Sequence, residues 1–254
     1  MSDDQRTTPV AITGRPVAYR DLDTQLTGTL YRPDGGTHPG ILLVHGGAGL
    51  DDHAREQARR YAGEGYAVLA CDMFGDGVTG RDRIMSTLLG LRDDPALLVR
   101  RARAGLDALR ACPEVGEPTA AIGFCFGGMA ALALARAGAD IAAAVSIHGT
   151  LSTTAPATPG AITARILVCH GAADPHVPTA DVTAFTEEMN AAGADWTLTM
   201  YGGAMHGFTH AHAAPGATPG VAHHPEADGR SFRAVRELLA ETLLPEPGEQ
   251  VVLR

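Results

Sequence analysis

The sequence has no apolar run approaching the 20 or so residues that a bilayer span needs, which predicts a protein without a membrane-crossing helix. It has no excess of positive charge. Its 20 Lys and Arg face 29 Asp and Glu, a formal net charge of −9 with a pI near 5.6. That balance speaks against broad electrostatic binding to nucleic acid or to an anionic membrane, while leaving room for a locally basic pocket. It has no CxxC pair. Its four cysteines stand at positions 71, 112, 125 and 169, and the expectation is reduced thiols, most of them packed in the core. The opening MSDDQRTTPVAITGRPV is acidic and has no apolar h-region, which predicts a chain without a signal peptide, at home in the cytoplasm. No segment recurs at a fixed period, so a repeat architecture is excluded.

What is present is enough apolar material for a sizeable core. The 254 residues are 45% hydrophobic and only 19% charged, which excludes disorder throughout and favours one large α/β domain. The expected organisation is a flexible arm over 1–12, a single domain over 13–245 and a tail over 246–254. Residues 16–31 read as two extended segments able to pair as a hairpin. GILLVHGG at 40–47 and YAVLACDMFG at 66–75 read as buried strands. Between them lies a helix near 53–64 that Asp51 or Asp52 can cap. Residues 95–111 place Leu98, Ala102, Leu106 and Leu109 at helical spacing. The order strand, helix, strand then repeats to the closing helix RSFRAVRELLAETLL, while 211–229 reads as loop. Uniformly apolar strands alternating with helices predict a mostly parallel sheet with helices on both faces.

Within that order, Gly123-Phe124-Cys125-Phe126-Gly127-Gly128 joins an apolar strand to an Ala-rich helix. This is the setting of the G-x-S-x-G nucleophile turn, with Cys in the Ser position. Such a turn presents its side chain at a helix N-terminus, where unpaired N–H groups favour a thiolate. A buried cysteine in a Gly-rich turn is the plainer alternative. A dinucleotide fingerprint fails on spacing. A nucleophile needs a base and the base an orienting acid, in the chain order nucleophile, acid, His. Asp174 follows one strand end and His206 another. Asp174 could instead organise the turn before Pro175, and His176 could compete as base. His206 and His210 at i, i+4 could hold zinc on a helix, but the flanking glycines oppose a helix there, and no metal is expected. His45, His148 and His170 each follow an apolar strand and read as loop-lining or locally bonded. The loop His45-Gly46-Gly47 is of the kind that supplies one oxyanion N–H, the other coming from the residue after the nucleophile. The donors are then Gly47 and Phe126, with Gly46 the competitor for the first. Met73, Phe74, Phe124, Met205 and Phe208, all beside strand ends, are candidates for pocket walls or core.

GFCFGG, HGAADPHVP, YGGAMHGF, GYAVLACDMFGDG and RSFRAV together make the chain resemble the dienelactone hydrolase family of α/β-hydrolases. The resemblance implies an α/β-hydrolase fold and a triad at Cys125, His206 and Asp174. It also implies a cofactor-free hydrolase of a small-molecule ester or lactone, with no nucleic-acid or membrane partner, as monomer or homodimer. The family's best-studied members place a glutamate where this chain has Gly46, and an arginine where it has His210. A second substrate-binding arginine of the family falls near Arg83 or Arg81. The resemblance thus carries the chemistry and leaves the substrate open. A lyase, an isomerase, an acyltransferase or a silent ligand-binding protein could use the same scaffold.

Overall fold

The structure, a computed structural model, describes residues 11–244. Two long strands open it, β1 (Ile12–Asp21) and β2 (Thr24–Pro33), paired antiparallel in register from Ile12 with Pro33 to Asp21 with Thr24. The expected arm thus falls outside the described residues up to residue 10, while Ile12 already belongs to a strand. The tail expected over 246–254 lies outside them altogether. There follow β3 (His38–Val44), α1 (Asp52–Ala62), β4 (Ala67–Cys71), α2 (Arg81–Asp93), α3 (Pro95–Arg110) and β5 (Val115–Phe124). The second half runs α4 (Phe126–Arg136), β6 (Ala143–Ile147), β7 (Arg165–Gly171), α5 (Thr179–Ala192), β8 (Trp196–Tyr201) and α6 (Pro225–Leu243).

The eight strands form one sheet in the order β1-β2-β4-β3-β5-β6-β7-β8. β2 meets β4 antiparallel, and from β4 onward every pairing is parallel. Alternation along the strands sorts the core into two faces. Leu42 and Val44 of β3 pack with α3, α4 and α5, whereas Ile41 and Leu43 pack with α1 and α6. The expected mostly parallel sheet, covered on both sides, is therefore the observed one: an α/β-hydrolase fold. Among the described residues no helix is long and apolar enough to cross a membrane.

Local chemistry sets the boundaries. Asp51 caps α1, its carboxylate accepting from Ala54 N at 2.9 Å, a bond worth about 1 kcal/mol. β4 ends at Cys71 because the Asp72 carboxylate takes the N–H groups of Phe74 and Gly75, turning the chain. Two elements depart from expectation. α2 has no counterpart in the sequence reading: Gly80 precedes it without a side-chain cap, and of its residues only Leu91 is buried. α6 begins at Pro225, inside the stretch read as loop. Proline suits the first helical position, and Glu226 and Asp228 suit the positive end of the helix dipole.

The β5–α4 junction is the tightest in the fold. A Cβ on Gly123 would lie 1.8 Å from the carbonyl oxygen of Gly127, and one on Gly127 would lie 2.1 Å from that of Val44. Gly90 of α2, by contrast, has open space around it. Gly123→Ala is expected to cost at least about 3 kcal/mol, because backbone must shift to admit it. Gly90→Ala is expected to stabilise by about 0.5–1 kcal/mol through helix propensity. Urea denaturation of both variants checks the contrast, and a Gly123→Ala protein as stable as the parent would refute this account of the junction.

Candidate active site

The tight junction holds Cys125 in a conformation that side chains avoid, φ 54° and ψ −116°. Such a backbone costs roughly 1–3 kcal/mol and persists only where neighbours enforce it. Here Cys125 N donates to the Ile147 carbonyl at 3.0 Å, and the Cys125 carbonyl accepts from Gly128 N at 3.0 Å. The thiol is thereby set at the C-terminal edge of the sheet, at the N-terminus of α4.

The loops after β7 and β8 bring in two partners from the other side. The His206 backbone is held by the segment after Pro219: His206 N donates to Gly220 O at 3.0 Å, and its carbonyl accepts from Ala222 N at 3.2 Å. Its ring spans the gap, with Nε2 3.1 Å from Cys125 Sγ and Nδ1 2.8 Å from Asp174 Oδ2. The other carboxylate oxygen of Asp174 accepts from His176 N at 2.8 Å, so the acid is fixed before it fixes the histidine. His176 stands edge-on to the His206 ring, with centroids 5.1 Å apart.

The electrostatics follow from these contacts. Burial alone would raise the Cys125 thiol, but the hydrogen bond and charge of His206 outweigh it, helped by the backbone N–H groups of Phe126 and Gly47. The thiol is therefore held below its ordinary value. Burial opposes a charged His206, yet the bonds to Asp174 and Cys125 raise it well above the usual histidine range. Asp174 is lowered by His206 against the cost of its own burial. The arrangement favours a thiolate–imidazolium pair, with the Gly47 and Phe126 N–H groups adding to the pull on the thiol.

Beside the sulfur opens a cavity of about 560 Å³, lined among others by Gly46, Gly47, Asp51, His53, Glu56 and His210. Of the residues expected to bind substrate, Gly46 and His210 line it. Met73, Phe74, Phe124 and Phe208 do not. Each is at most 5% exposed and packs into one of the two core faces, where a large apolar side chain loses more water-exposed area. Met205 is turned outward, and Arg83 lies exposed on α2, away from the lining. A larger groove, about 940 Å³, lies between α3 and α4 but contains neither Cys125, His206 nor Asp174. Among the described residues no three of His, Cys, Asp or Glu are grouped as a metal ion requires.

The structure adds residues that sequence reasoning passed over. His53, from the first turn of α1, stacks on His210 with ring centroids 3.7 Å apart and planes 15° from parallel. The Thr209 hydroxyl joins His53 Nε2 at 3.0 Å and His148 Nε2 at 2.8 Å. Burial, and for His53 the charge of His210, push these imidazoles toward the neutral form: His53 falls to about 3, and His148 and His210 also fall. No local pattern around His53 points to its contacts with Thr209 and His210, which lie more than 150 positions away. Leu88 of the unforeseen α2 packs over Gly47.

The model of the "Dienelactone hydrolase family" matches residues 26–243 of the chain. A solved structure named m3DLH is 42% identical, with a TM-score of 0.85, over 92% of this chain and 99% of that one. A dienelactone-hydrolase-like promiscuous phosphotriesterase from metagenomic libraries is 40% identical, with a TM-score of 0.86 and the same coverage. An uncharacterised protein of Caenorhabditis elegans is 41% identical over 145 residues, 56% of this chain and 91% of its own.

If His206 holds the thiol down, alkylation of Cys125 by iodoacetamide should rise with pH at a midpoint below that of an ordinary thiol. In His206→Ala the midpoint should move upward, because the charge favouring thiolate is gone. In Asp174→Asn it should move less far in the same direction. Superimposable profiles for the parent and His206→Ala would rule out this source of activation.

Proposed function

This chain belongs to the dienelactone hydrolase family, and from that footing we propose that it hydrolyses a carboxylic ester or lactone through an acyl intermediate on Cys125. The observation that carries the reading is the unbroken line from Asp174 through His206 to the Cys125 sulfur, at 2.8 and 3.1 Å.

In the proposed cycle the thiolate attacks the substrate carbonyl, and the charge that develops on oxygen is taken up by Gly47 and Phe126 N–H. The C–O bond to the leaving group breaks as the imidazolium Nε2 delivers its proton to that oxygen. His206, now neutral and held by Asp174, takes a proton from water. The resulting hydroxide attacks the thioester, the C–S bond breaks, and the thiolate returns beside a protonated His206. Asp174 stays ionised throughout and stabilises the cation opposite it.

The cavity's charge bears on the substrate. Asp51 and Glu56 line it, no arginine does, and the chain has no lysine. The stacked His53 and His210, both held toward the neutral form, offer an uncharged imidazole surface. A substrate carboxylate would meet Asp51 and Glu56, and the one cation lining the cavity, the His206 imidazolium, is already paired with Asp174 and the thiolate, so the site suits uncharged esters and lactones. An uncharged phosphotriester belongs to the same charge class, and the phosphotriesterase relative makes it a sensible member of a substrate panel.

Cys125→Ala is expected to lower ester turnover by several orders of magnitude with the fold intact. In the parent, intact-mass measurement during turnover should find an acyl group on Cys125, and the acid product should carry oxygen from labelled water. Normal ester turnover by the alanine variant would refute the assignment. Within a lactone pair differing only by a carboxylate, kcat/KM should favour the uncharged member. Preference for the carboxylate would refute the charge argument while leaving the hydrolase reading in place.

A further inference from the structure

His45 is fully buried at the end of β3, next to the loop that carries Gly46 and Gly47, and takes no part in the cycle above. Both its ring nitrogens are nevertheless engaged. Met73 N, a group that can only donate, lies 3.1 Å from Nε2. Nε2 must therefore accept, which leaves the proton of the neutral ring on Nδ1. Nδ1 lies 2.7 Å from the Gly46 carbonyl oxygen and so donates to it. Burial keeps the ring neutral, and that preserves this division of labour.

The Gly46 carbonyl and the Gly47 N–H belong to one peptide unit. A trans peptide is planar, with its C=O and N–H pointing in opposite directions. Whatever fixes the carbonyl therefore fixes the direction of the N–H. Gly46, Gly47 and Cys125 line one cavity, a Cβ on Gly46 would lie 3.7 Å from Cys125 Cβ, and the Gly47 N–H is one of the two backbone donors that lower the Cys125 thiol. Two glycines in succession would otherwise leave this plane free to rotate. A second donor, Gly49 N at 3.2 Å, reaches the same carbonyl from within the turn, but the shorter bond is the imidazole's.

The ring has its own support. The Met73 carbonyl accepts from Arg101 Nη1 at 2.9 Å, and Arg101 Nε pairs with Asp21 Oδ2 at 2.7 Å, with both side chains buried. The Phe74 ring packs edge-on against the imidazole at 4.6 Å. We propose that His45 is a positioning residue, and that its Nδ1–H holds the Gly46–Gly47 peptide so that the Gly47 N–H faces the oxygen on which negative charge develops. The claim rests on the acyl-transfer reading of the site and adds to it a residue that touches neither substrate nor nucleophile.

Two substitutions separate the ring's two bonds. In His45→Asn the amide nitrogen can occupy the place of Nδ1 and keep the bond to Gly46. In His45→Gln the amide oxygen can occupy the place of Nε2, keeping the bond to Met73 and losing the one to Gly46. With 4-nitrophenyl acetate, kcat should stay within a few-fold of the parent in His45→Asn. It should fall about a hundredfold in His45→Gln, the cost typical of a catalytic group misplaced by about 1 Å, with KM little changed. Thermal unfolding confirms that both variants are folded, and His45→Phe replaces His45→Gln as the donor-free variant should the latter not fold.

A second measurement needs no turnover. Alkylation of Cys125 by iodoacetamide forms no oxyanion, so its limiting rate at high pH should be the same in all variants. Its midpoint should move upward only where the Gly47 N–H is no longer held in place. Equal kcat in the Asn and Gln variants, an unmoved midpoint in the donor-free variant, or a limiting alkylation rate that falls in step with kcat would each overturn the proposal. A parent protein inert toward the ester would count against the hydrolase reading alone, because the alkylation midpoints still decide the role of His45.

Discussion

The closeness of backbone to backbone where α4 leaves β5 decides where every reactive atom sits. Gly123 and Gly127 approach so nearly that neither could carry a side chain, and Gly127 rests on the last carbonyl of β3. This contact pushes Cys125 into its avoided backbone conformation and turns its sulfur out of the sheet. It also brings the end of β3, and with it the Gly46–Gly47 peptide, beside the start of α4. The nucleophile and the two N–H groups that lower its thiol therefore share one cause. Residues from β7 and β8 need only reach over the same edge, and their loops do so from the adjoining strands.

The chain's four cysteines show how far environment divides one residue type. Cys71 and Cys169 lie wholly within the core, where burial pushes their thiols up, that of Cys169 to about 12. Cys112 is raised as well, again by burial. Cys125 suffers the same burial, but an imidazole and two backbone donors overrule it. Three thiols stay inert packing and one is poised to ionise. The difference arises from hydrogen bonds that become possible only at a strand end.

Much of this was legible in the sequence, for reasons particular to each part. The buried strands GILLV and YAVLAC announced themselves by continuous apolar character, and the Gly-x-Cys-x-Gly turn by the steric demand that only glycine meets. Asp174 and His206 could be placed because each follows a strand, so the topology delivers both to one edge. α2 is hard to read because only Leu91 of its Ile84, Leu88 and Leu91 stripe is fully buried, while Met85 and Leu89 beside the stripe blur its apolar periodicity. The aromatic and methionine side chains near strand ends were ambiguous between core and cavity, since both places favour apolar residues. His53 against His210, and His45 against the Gly46 carbonyl, depend on side-chain geometry that no spacing rule encodes. Its place after an apolar strand suits His45 to lining a loop or bonding locally; it bonds locally, and the consequence lies in which peptide it bonds.

The ion pair between Asp21 and Arg101 has a further bearing, on where the domain can be cut. The match to the family begins at residue 26, so Asp21 and all of β1 lie ahead of it. By that measure the first strand looks like an appendage on the sheet's outer edge. Yet its last residue supplies the carboxylate for a guanidinium that is almost wholly enclosed by the core. A shortened chain starting at the family boundary would leave Arg101 charged, buried and without that partner, an imbalance of roughly 3–5 kcal/mol. Through Met73 the disturbance would reach the ring of His45. In this molecule, the edge of the family model's match and the edge of the cooperative unit do not coincide.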